Sequence, residues 1–211
     1  RITGKIVWRH ERPKQPNYTS PAVLTAAGRE QLVLCGCDHV LSLDPRSGKQ
    51  LWEIEGSTTE CVGSIVTDGQ LVFASGGDPK KLTVAVAADG SGKVAWQNNT
   101  QTYVPSMLAH QGLLFTVTDA GIAYCWRSST GEELWKTRLG GTFNSSPVLV
   151  GNRLYVTNQE GKTFIFEARG DALDLDAADR VGDFIDRRAT RTLEGALRVA
   201  LGAAGAADDI R

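Results

Sequence analysis

The sequence predicts an all-β chain assembled from repeated units of four short antiparallel strands, and three observations carry that prediction. The first is a phrase ending in tryptophan that occurs four times. It reads Thr3-Gly4-Lys5-Ile6-Val7-Trp8, Ser47-Gly48-Lys49-Gln50-Leu51-Trp52, Ser91-Gly92-Lys93-Val94-Ala95-Trp96 and Thr130-Gly131-Glu132-Glu133-Leu134-Trp135. These tryptophans lie 44, 44 and 39 residues apart, close to the ~40–45-residue period of four-stranded propeller blades. The second is a column in step with the phrase: Ser20-Pro21, Ser64, Pro105-Ser106 and Ser146-Pro147 follow the tryptophans by 9 to 13 residues. The third is the texture in between. Runs such as Pro147-Val148-Leu149-Val150, Leu154-Tyr155-Val156 and Thr163-Phe164-Ile165-Phe166 are broken at Gly151-Asn152 and Gly161, as short strands separated by turn residues are.

Each unit therefore holds strands A to D, counted outward from a propeller axis. In chain order the expectation is a leading strand D within residues 1–10, complete blades over about 19–55, 61–99 and 103–139, and a fourth blade without a clear strand D. Strand A opens at the Ser/Pro column, B and C follow across turns, and D carries the tryptophan. The glycine of the phrase permits a positive φ in the tight C-to-D turn. An indole buries ~150–250 Å², a gross ~4–6 kcal/mol at ~25 cal/mol per Å², so regularly spaced indoles can clamp each blade onto its neighbour. Gly4, Trp8, Gly48, Trp52, Gly92, Trp96, Gly131 and Trp135 are accordingly assigned to structural docking rather than to a ligand. Trp126 lies outside the phrase, on a strand C, and is expected to contribute less than Trp52 or Trp96.

The stretch Asp44-Pro45-Arg46-Ser47-Gly48-Lys49-Gln50-Leu51-Trp52 resembles the repeat of the pyrroloquinoline-quinone-type (quinoprotein-like) propeller superfamily. That superfamily includes quinoprotein alcohol dehydrogenases and the propeller lipoprotein of the outer-membrane β-barrel assembly machine. The resemblance extends over residues 1–168. It implies about four to five blades of a parent ring of seven or eight, since propellers close with ~4–8 blades. Two departures stand out: Arg127 occupies the aspartate position of the turn, and Asp89 is one residue closer to its tryptophan.

Residues 169–211 admit two readings. Ala189-Thr190-Arg191-Thr192-Leu193-Glu194-Gly195 can be laid on Ser145-Ser146-Pro147-Val148-Leu149-Val150-Gly151 at an offset of 44, which makes the tail a degenerate repeat. Its Ala and Leu content favours a partly helical tail instead, opposed by Gly195, Gly202 and Gly205.

Composition excludes several function classes. The formal net charge is -1, with 23 Lys+Arg against 24 Asp+Glu, so the basic surplus that neutralises phosphates is missing and nucleic acid is not an expected partner. No apolar run approaches the ~18 residues of a transmembrane segment. The chain opens at Arg1 and its single methionine is Met107, so a piece of a longer reading frame is expected, with any export signal or lipid anchor upstream. The resemblance implies a periplasmic or otherwise extracytoplasmic location.

Chemistry-bearing constellations are sparse. Cys35-Gly36-Cys37-Asp38-His39 offers zinc-type donors but no second pair to converge with them. The histidines are His10, His39 and His110, and no serine sits in a Gly-x-Ser-x-Gly elbow. Quinone-dependent relatives carry a vicinal cysteine pair; here Cys35, Cys37, Cys61 and Cys125 are never adjacent. Asp174, Asp176 and Asp179 lack the EF-hand spacing, because Ala178 stands where a ligand is needed. No catalytic, metal-binding or cofactor-binding residue is therefore assigned.

What remains is a face. The D-to-A and B-to-C loops share one side of such blades, opposite the Gly-Lys turns, and loops on a rigid scaffold commonly carry binding. Tyr18, His39, Glu60, Asp78, Tyr103, Asp119 and Asn144 fall there. Two functions follow: a non-catalytic scaffold binding a protein or polymer partner through this face, or the remnant of a quinoprotein oxidoreductase. Open blade edges would add self-association.

Overall fold

Strands form here because apolar and polar side chains alternate with a period of two. Arg153–Thr157, for example, buries Leu154 and Val156 and leaves its odd positions half-buried. The structure, a computed structural model, describes residues 4–171 and 175–178. Among the described residues, sixteen strands fall into four antiparallel sheets of four, each ordered as in the sequence. The first blade comprises β1 (Ala22–Ala26), β2 (Arg29–Gly36), β3 (His39–Leu43) and β4 (Gln50–Glu55). The second comprises β5 (Val66–Thr67), β6 (Leu71–Gly76), β7 (Leu82–Ala87) and β8 (Val94–Asn98). The third comprises β9 (Leu108–His110), β10 (Leu113–Val117), β11 (Ile122–Arg127) and β12 (Glu133–Arg138). The fourth comprises β13 (Val148–Val150), β14 (Arg153–Thr157), β15 (Thr163–Glu167) and β16 (Leu175–Ala178). No helix occurs among the described residues, and the fold is an all-β arrangement of propeller blades.

The core lies between blades rather than within them. Val33, Val40, Trp52 and Ile54 of the first blade pack on Ile65, Val72, Val84 and Val86 of the second. Phe73, Ala85 and Trp96 of the second meet Leu114, Tyr124 and Trp126 of the third. Phe115, Val117 and Trp135 of the third meet Leu154, Phe164 and Phe166 of the fourth. Near the axis the Ser/Pro column supplies a hydroxyl relay between neighbours. The Thr19 hydroxyl donates to the Gly63 carbonyl, and Ser64 and Ser106 donate their amides to the hydroxyls of Ser106 and Ser146, each at 2.9 Å. The second and third inner edges approach so closely that a Cβ at Gly63 would lie 2.7 Å from the Pro105 carbonyl oxygen.

The C-to-D turns explain both sequence departures. The Asp44 carboxylate accepts from the Arg46 and Ser47 amides and the Ser47 hydroxyl, while Gly48 donates to the Asp44 carbonyl. The Ser47 amide bond, with those of the Ser47 hydroxyl and the Arg46 amide, holds the Asp44 carboxyl below its ordinary range. Where Arg127 replaces the aspartate, its own carbonyl accepts from Gly131 and its guanidinium reaches Glu132 at 2.9 Å. The shortened second turn uses Asp89, which accepts from the Ser91 amide at 2.8 Å. Gly48 and Gly131 both sit at positive φ, +72° and +74°.

Two expectations meet a different outcome. Residues 4–10 form no strand and enter none of the four sheets of the described residues, so the expected leading strand D is not found there. The fourth blade does have a fourth strand, β16, paired with β15 from Phe166↔Leu175 to Thr163↔Ala178. It carries no tryptophan phrase, which is why the repeat gave no sign of it. The alternative readings of the tail beyond Ala178 lie outside the described residues.

Candidate partner-binding face

Each docking tryptophan stands opposite a small residue, Ser42 for Trp52, Ala85 for Trp96 and Cys125 for Trp135. A register shift follows at once in all three blades, between Ser42/Leu43, Ala85/Val86 and Cys125/Trp126. Such bulges re-aim a side chain, here turning the indole toward the next blade. Trp8 donates to the Pro45 carbonyl at 3.2 Å, Trp96 to that of Ser128 at 2.7 Å and Trp135 to that of Arg169 at 2.9 Å. The rings of Trp8 and Trp96 lie flush on Gly48 and Gly131, where a Cβ would come within 2.5 and 2.6 Å of indole carbons. Gly4 has no such neighbour.

Trp52 departs from this pattern. Its indole donates at 2.8 Å to Gln31 of its own blade, and Gln31 passes the connection on, donating to the Ala88 carbonyl of the second blade at 2.8 Å. Gly92 is approached by Ile54 instead, at 3.4 Å. The second turn is one residue short, and beside it a glutamine links the indole to the second blade. Trp126 also departs from expectation. At 2% exposure it is the largest fully buried side chain, stacked on Tyr124 at 5.0 Å and 6.4 Å from Trp96.

On the loop side, five of the seven predicted face residues gather around Tyr103. Its hydroxyl donates to the Glu60 carboxylate at 2.8 Å, joining the loops that enter the second and third blades. The Asp119 carboxylate, from the β10–β11 loop, accepts the Tyr103 and Val104 amides at 2.8 and 3.0 Å and so fixes this loop. Glu60 in turn forms a bridge with Asp78 of the β6–β7 loop. The charges of Glu60 and Asp78 and the phenol of Tyr18 are all felt at Tyr103. The hydrogen bond to Glu60 is the largest of these effects and pushes the Tyr103 phenol up to about 12. Tyr18 is 64% exposed, with its amide donating to Cys61. A cleft lined by Lys81, Gln101, Asp119 and Tyr124 opens beside the cluster.

His39 and Asn144 lie apart from this group. His39 opens β3 and faces Glu53 of β4, with Nδ1 at 3.3 Å from the carboxylate but outside hydrogen-bonding geometry. Asn144 is exposed on the loop leading to the fourth blade. Cys37 and His39 do not converge on a metal site, and no cluster of metal-ligating side chains occurs among the described residues. The residue that sequence reasoning missed is Gln31, which no motif contains; Asn17, on the loop that leads into the first blade, donates its side chain to the Cys35 carbonyl at 2.7 Å and accepts from the Cys61 amide at 3.4 Å.

Four-stranded antiparallel blades packed face to face around a hydroxyl-bridged inner edge define a β-propeller protein of the quinoprotein-like repeat class. The family model described as outer membrane protein assembly factor BamB matches residues 2–137 and 80–199, and the chain belongs to that family. A solved structure of BamB from Moraxella catarrhalis superposes with a TM-score of 0.65 at 15% identity, covering 83% of this chain and 55% of that one. The Saccharomyces cerevisiae protein Sqt1 superposes with a TM-score of 0.58 at 14% identity, over 72% of this chain and 45% of that one. The chain thus spans about half the length of both solved structures. A search of curated protein sequences finds no match.

Proposed function

We propose that this chain is a non-catalytic propeller scaffold, acting in outer membrane protein assembly on the extracytoplasmic side of the membrane, and that it binds a protein partner through the loop face around Tyr103. The observation that carries the reading is the Glu60–Tyr103–Asp119 network. It holds loops of two blades rigid and leaves the Tyr18 ring exposed beside them. An aromatic side chain with its backbone already fixed loses little entropy on binding, which is what interface anchors exploit. The family supplies the process, and the face supplies the means.

A photo-crosslinking amino acid placed at Tyr18 or Asp78 should capture outer membrane assembly proteins from cells that express the full protein. The same probe at Lys49, in a turn on the opposite face, should not. Equal capture from Lys49 would refute the face. Separately, reduction of an electron-accepting dye by the purified chain, dependent on added pyrroloquinoline quinone and calcium, would refute the non-catalytic reading.

A further inference from the structure

The sulfur atoms of Cys35 and Cys61 lie 2.8 Å apart, although the residues belong to different blades. Cys35 is near the end of β2, and Cys61 lies in the loop that leads from the first blade into the second. Both are fully buried. The separation is too short for a shared metal ion, because two thiolates on tetrahedral zinc at ~2.3 Å stand nearly ~3.8 Å apart. It is well inside van der Waals contact of two thiols, and closing it to the ~2.05 Å of a covalent bond needs under ~1 Å of movement. We infer that Cys35 and Cys61 form a disulfide that staples the first blade to the second directly beneath the partner-binding face.

The surroundings suit that chemistry. Ser57 Oγ contacts both sulfurs, at 3.0 Å from Cys35 and 3.2 Å from Cys61. Hydrogen bonds from Cys35 first, then from Ser57 and Thr58, hold the Cys61 thiol below its ordinary range, at about 6. Cys35 is raised by the same contact and by burial. Thiolates are the attacking species in disulfide exchange, and the contacts that favour the Cys61 thiolate form as its loop closes onto Cys35. With a small disulfide such as oxidised glutathione as oxidant, Cys61 attacks one sulfur and releases one glutathione thiolate. Cys35, giving up its proton, then attacks the mixed disulfide and releases the second. Two protein thiols are oxidised and one glutathione disulfide is reduced. Because both sulfurs are buried in the folded chain, the exchange takes place while the loop is open during folding. The other cysteines are poorly placed: Cys125 lies in the third-to-fourth blade core, where burial pushes its thiol up to about 12, and Cys37 faces the Pro13 carbonyl.

The bond would order the face. Asn17 bridges Cys35 and Cys61, the Tyr18 amide donates to the Cys61 carbonyl, and Glu60 is the residue next to Cys61. The staple thus fixes three segments that present Tyr18 and Glu60.

The test uses the full chain, unfolded in urea with reductant and refolded in mixed reduced and oxidised glutathione. The product is quenched with acid and alkylated under denaturing conditions. Two of the four cysteines should escape alkylation, with tandem mass spectrometry joining Cys35 to Cys61. Cys37→Ser should keep the cross-link and Cys35→Ser should lose it. Adding dithiothreitol should lower the urea midpoint of the wild type and leave that of Cys35→Ser unchanged. Alkylation of all four cysteines, or an undiminished cross-link in Cys35→Ser, would overturn the assignment. Fragment mapping of the wild type decides it even if a variant fails to fold.

Discussion

Gln31 is the side chain on which removal of a single group should cost the most polar pairing. It is fully buried, and its amide is completely used. Nε2 donates to the Ala26 and Ala88 carbonyls at 3.1 and 2.8 Å, and Oε1 accepts from Ser42 and Trp52 at 2.7 and 2.8 Å. Gln31→Leu keeps the volume and deletes all four bonds, which at ~1 kcal/mol net apiece predicts a loss of ~4 kcal/mol. Three partners belong to the first blade and one to the second, so part of the loss is blade-to-blade attachment. Urea unfolding followed by circular dichroism gives the total. A double-mutant cycle with Trp52→Phe isolates the indole bond, for which contacting residues in one network lead us to expect ~1–2 kcal/mol of coupling. A loss below ~1 kcal/mol for Gln31→Leu, or a coupling within ~0.5 kcal/mol of zero, would refute the relay.

Trp126→Ala should destabilise the chain by ~3–5 kcal/mol, as large aromatic deletions in a core do, and by no less than Trp96→Ala; a smaller urea shift than Trp96→Ala would contradict its placement. The Tyr103–Glu60 bond predicts an alkaline effect. The Glu60 hydrogen bond raises the folded phenol to about 12, above the ordinary ~10 of tyrosine, so its stabilisation is complete below ~pH 10 and is lost as pH rises toward ~12. Tyr103→Phe should flatten the fall of the urea midpoint over that range, and an unchanged slope would show that the bond contributes nothing. Val148 and Val150 are 56% and 60% exposed on the side of β13 away from the third blade, while Leu149 between them packs into the core. Scattering mass should therefore rise with concentration and fall on Val148→Lys; a constant monomer mass across a dilution series would rule this contact out.

The blades were readable because each depends on a feature with a fixed period. A Gly-x-x-x-Trp phrase marks a turn and the indole that follows it, and the strands between are delimited by apolar alternation. What escaped was whatever lacks the phrase. The strand β16 reads Leu-Asp-Ala-Ala, with no indole or turn glycine to announce it. Residues 4–10 carry the phrase and still form no strand, since pairing is a property of two segments and a motif describes only one. The burial of Trp126 is hidden for the same reason: beyond the stacking of Tyr124 on its own strand, it comes from the second blade, through Phe73, Ala85 and Trp96.

The face was legible at a coarser level. Alternating strand direction sends D-to-A and B-to-C loops to one side, so Glu60, Asp78, Tyr103 and Asp119 could be grouped from topology alone. Which of them touch depends on loop lengths and on a few tenths of an ångström. Tyr103 reaches Glu60 across a blade boundary, whereas His39, equally polar and on the same side, turns outward to Glu53. Gln31 makes the same point inside the fold: beside the turn that is one residue short, the side chain that links the two blades lies 57 residues from the carbonyl it reaches. Periodicity places the blades, but the contacts that join one blade to the next are set by the deviations from it.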